Sequence, residues 1–225
     1  MSTVEASPTH LTYTSLDAAY DWFNAELFGG ELPHCLVTLQ RHRGARGYFW
    51  GDIFGAIGRE QTESEPGDDK LDEIALNPAA FNGRTIEQIL STLVHEMAHL
   101  WQHHFGKPSR NNYHNRQWAE KMEAVGLIPS DTGQPGGKKT GQGMTHYIEE
   151  GGRFAKSCAA FLAGPGVSLW GDRIGELADA GAKAKRPKSK VKYTCPACQA
   201  NAWAKPETRL MCGECEEVMP AEDDG

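Results

Sequence analysis

Two groups of residues have the types and spacing that metal chemistry requires. The first is His95-Glu96-x-x-His99, inside Ser91-Thr92-Leu93-Val94-His95-Glu96-Met97-Ala98-His99-Leu100-Trp101. On a helix, positions four apart lie about 40° from each other around the axis, so two imidazoles can face one ion. Glu96 falls near the same face. Two imidazoles beside a carboxylate suit tetrahedral Zn²⁺ with a position left open, and Glu96 is the expected general base for a water activated there. The second group is Cys195-Pro196-Ala197-Cys198 followed, after thirteen residues, by Cys212-Gly213-Glu214-Cys215. Paired C-x-x-C turns each aim two sulfurs at one ion, which predicts a four-thiolate structural Zn²⁺ site. A redox reading would need a βαβ setting that nothing here resembles.

The elements that must hold the first group are legible around it. Thr85 and Gln88 form a capping box, apolar residues from Ile86 to Trp101 recur at helical spacing, and Gly106 and Pro108 supply a stop. The spacing predicts a helix over 85–105. A further helix is expected from Ser15 to Phe28, with residues 1–13 irregular, and strands at 36–40, 48–54 and 72–77. A second helix opens near His114 or Asn115 and closes at Gly126. Residues 129–144 read as a Gly-rich loop, 145–148 and 167–170 as short strands, and 153–163 as a helix. The fold class is therefore α+β: a small antiparallel sheet packed on helices that carry the HExxH zinc site, then a flexible linker and a small zinc ribbon.

Composition sets bounds. The chain has 225 residues and net charge −7, which taken whole argues against a general nucleic-acid binder. The positive charge is concentrated, however: residues 183–215 hold eight Lys/Arg against two Glu, while residues 60–70 and 216–225 are acidic. No run approaches a membrane span, and the first residues show no secretory signal, so a cytoplasmic, non-membrane protein is expected. The six cysteines then read as metal ligands or thiols rather than disulfides, with Cys35 and Cys158 as free thiols.

A catalytic zinc needs a third protein ligand. His103 shares the stripe of His95 and His99 but lies about 6 Å further along the axis. A histidine six residues after His99 is absent, since Phe105 stands there. Glu120 or Glu123 on the next helix would give a two-His, one-carboxylate site; His114 would give three imidazoles, and spacing slightly favours it. His103, His104, His146 and Tyr113 are read as solvated or packed side chains.

Beyond spacing, the chain resembles the SprT-like family, which includes the Spartan-type proteases. The matching stretches are Trp22-Phe23-Asn24, Phe28-Gly29-Gly30-Glu31-Leu32-Pro33, Ile74-Ala75-Leu76-Asn77, Thr92 to His99, and Tyr113-His114-Asn115 with Trp118, Met122 and Gly126-Leu127. With the four-Cys ribbon they cover about residues 15–128 and 193–216. The resemblance implies that His114 is the third zinc ligand; Asn115 replaces the Gly that usually follows it. It also implies a zinc endopeptidase acting on DNA-associated or DNA-crosslinked proteins, with two zinc ions, one catalytic (His95, His99, His114) and one structural (Cys195, Cys198, Cys212, Cys215). The expected organisation is a protease domain at 1–128, a Gly-rich loop and accessory segment at 129–182, a basic linker at 183–192, and a ribbon with acidic tail at 193–225. The expected partners are a protein substrate and DNA, the latter through linker and ribbon, giving a DNA-associated cytoplasmic location. The alternative is a nucleic-acid-binding ribbon protein whose protease domain is vestigial; Trp203 reads first as a packed side chain and, in that alternative, as a surface that stacks on a base.

Overall fold

Helix α1 (Pro8–Phe28) begins two turns before its apolar stripe does. Ser7 caps it, its hydroxyl accepting from the His10 N–H, and Pro8 occupies the first turn, where its missing N–H costs nothing. The irregular segment expected over residues 1–13 is thus helical from Pro8; the turns between Pro8 and Ser15 carry no apolar stripe to reveal it. The computed structural model describes residues 6–57, 70–110, 113–164, 167–172 and 190–221. Most of the acidic loop at 60–70, linker residues 183–189 and tail residues 222–225 lie outside the described residues.

The chain divides into two compact units, residues 1–175 and 176–225. In the first, β1 (Leu36–Leu39), β2 (Gly47–Gly55) and β3 (Lys70–Leu76) form a sheet in the order β1-β3-β2. The sheet is mixed, which corrects the antiparallel sheet expected from sequence. β2 runs back from β1, and the chain then inserts β3 between them, so β3 repeats the direction of β1. As the central strand, β3 is buried from Asp72 through Leu76. β2 carries a bulge between Trp50 and Phe54, where Asp52 adopts φ 54° and its N–H is satisfied by Asp72 Oδ1 at 2.8 Å.

Helix α2 (Ile86–Phe105) crosses this sheet. Both halves of the Thr85–Gln88 capping box are formed, and every residue from Ile89 to Ala98 is buried. One side packs on β2 and β3, the other on α1, α3 (Arg116–Val125) and α4 (Arg153–Leu162). Leu90, Leu93, Val94, Met97 and Leu100 are fully enclosed, each burial stabilising the fold by about 2 kcal/mol.

After α3 the chain turns at Gly126 (φ 87°) into β4 (Leu127–Ser130), which pairs antiparallel with β5 (Thr145–Ile148). A Cβ on Gly126 would lie 2.8 Å from the Arg153 nitrogen, so glycine is needed there for both conformation and space. Helix α4 rests on α1 through Phe23 and Phe154, with ring centroids 5.5 Å apart, and through Trp22 Nε1, which donates to Ser157 Oγ at 3.0 Å. The strand expected at 167–170 is not formed: Ser168 N donates to Ser15 Oγ instead of to a ladder.

The second unit is two hairpins, β6 (Val191–Thr194) with β7 (Asn201–Ala204) and β8 (Leu210–Met211) with β9 (Val218–Met219). Its first strand, β6, takes up Val191 and Lys192, the last two residues of the expected linker. The apolar centre is Tyr193, Met219 and two cysteines, too small a core to hold a fold alone. Among the described residues, no helix is long and apolar enough to cross a membrane.

Candidate metal centre and cleft

The capping box fixes where α2 starts, and the four-residue spacing on that helix turns His95 and His99 to the same side. Their ring centroids are 5.3 Å apart. His114 arrives from the segment before α3 and brings Nε2 to 3.1 Å from His99 Nε2. One nitrogen from each of His95, His99 and His114 lies within 4.8 Å of the others. Two nitrogens bound to one tetrahedral zinc stand about 3.3 Å apart, so the group has the right scale.

Local bonding aims these rings. His114 pairs with Gly141 as an isolated bridge, and its Nδ1–H also donates to the Gly141 carbonyl at 3.1 Å, leaving the Nε2 lone pair free for the cluster. Asn115 caps α3 by accepting from Trp118 N at 3.1 Å, and the same Oδ1 accepts from Gln102 Nε2 on α2 at 2.8 Å. Its Nδ2 donates to the Lys107 carbonyl and to Ser109 Oγ. One side chain therefore ties the start of α3 to the end of α2 and to the loop between them. Asn115 thus braces the chain next to His114, while Gly141 holds His114 itself. Behind the imidazoles stands Trp118, fully buried, its ring 4.9 Å from His95, 5.2 Å from His99 and 4.3 Å from His114.

Glu96 is buried beside them and faces the same cleft of about 790 Å³, which His99, His114, Tyr113 and the β2 segment Gly47–Gly51 also line. It fits because β2 begins with glycine: a Cβ on Gly47 would come within 3.1 Å of Glu96 Oε1 and 2.9 Å of the Ala75 carbonyl. Burial raises the Glu96 carboxyl to about 8. The imidazoles shift the other way. Burial, then the neighbouring His114, lowers His99 to about 3, and burial leads the downward shifts of His95 and His114. The metal-free site thus holds neutral imidazoles, the form that binds a cation.

The alternatives weighed from sequence lie elsewhere. Glu120 accepts from Arg116 Nε, and Glu123 pairs with Lys139 Nζ. His103 stands 3.7 Å from Asp52 Oδ2, its ring over Gly51. His104 Nε2 is 2.6 Å from the buried Asp72 Oδ2. That is hydrogen-bond length, so His104 and Asp72 form an imidazole–carboxylate pair. Sequence spacing gave no weight to His146, which lies in β5 at 3.1 Å from His95 Nδ1. It is fifty-one residues from its partner, and local periodicity carries no signal over that distance.

The second cluster joins Cys195, Cys198, Cys212 and Cys215, with one sulfur from each within 4.8 Å of the others and Cys198 and Cys212 sulfurs 3.6 Å apart. Sulfurs on one tetrahedral zinc stand about 3.8 Å apart. The two knuckles have the same construction. Gln199 N donates to the Cys195 carbonyl and Glu216 N to the Cys212 carbonyl. Gln199 (φ 63°) and Glu216 (φ 54°) both sit in the left-handed region that closes the turn.

The SprT-like family matches residues 16–135, just over half of the chain, from α1 to the loop after β4. A Salmonella typhimurium protein described as "Uncharacterized protein in mucB 3'region" is 56% identical over 53 residues, which is 24% of this chain and 69% of that protein. The family match covers α2 and both sides of the histidine cluster, and on it the chain belongs to the SprT-like family.

Proposed function

We propose that this chain is a zinc-dependent endopeptidase, with zinc held by His95, His99 and His114 and with Glu96 as general base. The observation that carries the reading is the convergence of three imidazoles and one buried carboxylate on the floor of an open cleft. When bound, zinc supplies Lewis acidity, polarising a carbonyl and easing deprotonation of water. Glu96 takes the proton from the attacking water on its carboxylate oxygen and returns it to the leaving amine. The substrate is a peptide in extended form. β2 lines the cleft and is an edge strand among the described residues, so its outer backbone groups can pair with such a chain.

The same proposal gives the four cysteines a structural zinc and divides the chain into the protease domain at 1–128, the accessory segment, the basic linker and the ribbon. DNA is the partner of linker and ribbon, and DNA-associated or DNA-crosslinked proteins are the substrates. Trp203 supports this: it is 61% exposed on β7, paired across the hairpin with Lys192, as a base-stacking platform beside positive charge would be. Incubation of a DNA-bound protein with wild type and Glu96→Gln, with and without DNA, tests the reading. Cleavage by wild type that DNA stimulates and the variant loses is expected, with zinc content unchanged. Retained cleavage in the variant rules out the assigned base. The second reading, a nucleic-acid-binding ribbon with an inert protease domain, would show salt-dependent DNA binding and no cleavage by either protein.

A further inference from the structure

His146 lies against the three-imidazole group without belonging to it. It comes from β5, beyond the residues that the family matches. It shares the inward face of that strand with Ile148, which packs on the core. A polar ring on such a face must be hydrogen-bonded, and His146 is bonded at both nitrogens. Its Nδ1 is 3.1 Å from His95 Nδ1, its Nε2 is 2.8 Å from Ser91 Oγ, and Ser91 Oγ is 2.9 Å from the Gln88 carbonyl.

These three contacts fix one order of protons. A carbonyl oxygen only accepts, so the Ser91 hydroxyl donates to Gln88 and its oxygen accepts from His146 Nε2–H. A neutral His146 protonated at Nε2 has its lone pair at Nδ1, where it accepts from His95 Nδ1–H. His95 then carries its lone pair on Nε2. The reverse order would put the proton on His95 Nε2 and close that atom to a cation. We propose that His146 is a positioning residue: anchored by Ser91, it holds His95 in the tautomer and ring orientation that offers Nε2 to the metal. Ligand histidines in metal sites commonly need such a partner on the second nitrogen, and its loss typically weakens metal binding about 10–100-fold.

This inference rests on the proposed zinc centre, and the experiment separates the two. Zinc affinity is measured on the full-length protein by competition with a chromophoric chelator, the four-thiolate site serving as internal reference. His146→Leu is expected to weaken the cleft site about 10–100-fold and leave the ribbon site unchanged. His146→Asn, whose carbonyl can accept from His95 Nδ1–H, should recover most of that loss, and Ser91→Ala should fall between. Imidazole nitrogen NMR of the zinc-loaded wild type should place protons on His95 Nδ1 and His146 Nε2; this decides the matter should the leucine variant fail to fold. Wild-type affinity in both His146→Leu and Ser91→Ala, or a proton on His146 Nδ1, overturns the inference. If His99→Ala leaves both zinc sites intact, the zinc centre itself is what fails.

Discussion

The two metal-type clusters of this chain reach similar donor geometry by opposite routes. The histidine cluster is a by-product of a large fold. Its donors come from one face of α2 and from the segment just before α3, and its wall is Trp118, all held by packing across the unit. The cysteine cluster has almost no fold behind it. Its donors come from two congruent turns, and the apolar centre they enclose is Tyr193 and Met219. Distant packing makes a site that can keep an open side for chemistry, because the protein, not the metal, holds the ligands in place. Local turns make a closed group of four thiols, in which a bound metal would hold the protein.

That contrast is easiest to break by removing metal. In the cysteine unit zinc would supply essentially all of the folding free energy, about 10–16 kcal/mol in small domains of this kind. Strong chelation should therefore leave the amides of Gln199 and Glu216, whose bonds close the two knuckles, exchanging freely, while α2 stays protected. Hydrogen exchange reads both at once. Loss of α2 protection on chelation would erase the distinction.

The converse perturbation is Trp118→Ala. Removing a fully buried indole should cost the first unit about 3–5 kcal/mol in denaturant unfolding and abolish its zinc binding, with the ribbon zinc unaffected.

Acid should also distinguish the units, since residues 190–221 contain no histidine. His99 and His146 are each lowered from 6.5 to about 3, mainly by burial. Below pH 6.5 the unfolded chain binds protons there that the folded one refuses, so the metal-free first unit should lose stability as pH falls from 6.5 toward 3. Glu96 acts with opposite sign. Raised from 4.5 to about 8, it makes that unit less stable as pH rises between those values. Glu96→Gln should flatten the decline between pH 6.5 and 8 in thermal melts of chelated protein and steepen the histidine-driven rise between pH 4.5 and 6.5.

A smaller effect is expected from Asn115→Ala. Loss of the α3 cap should cost about 1 kcal/mol and should weaken zinc binding in the cleft through displacement of His114, which chelator competition would detect.

What the sequence disclosed follows the same division. The cysteine site was readable because its information is local: two tight turns written into C-x-x-C spacing. The α2 half of the histidine site was readable for the same reason, through helical phase and the Thr85–Gln88 box. His114 was only one of three options by spacing, because a side chain delivered across a turn leaves no periodic trace; the family resemblance singled it out. His146 left none, since β5 reaches His95 only after the loop from 131 to 144 has folded back. The mixed sheet was missed because strand order depends on which strand is inserted between the others, and alternation within a strand does not encode that. The early start of α1 had a signal, Ser7-Pro8, that the absence of an apolar stripe concealed.

The most direct test of the zinc-endopeptidase reading is native mass spectrometry of the full-length chain combined with a cleavage assay on a DNA-free unfolded protein. Wild type should carry two zinc ions and cleave. His99→Ala should carry one and be inactive, and Cys198→Ser should carry one and still cleave. Two zinc ions or retained cleavage in His99→Ala would contradict the account.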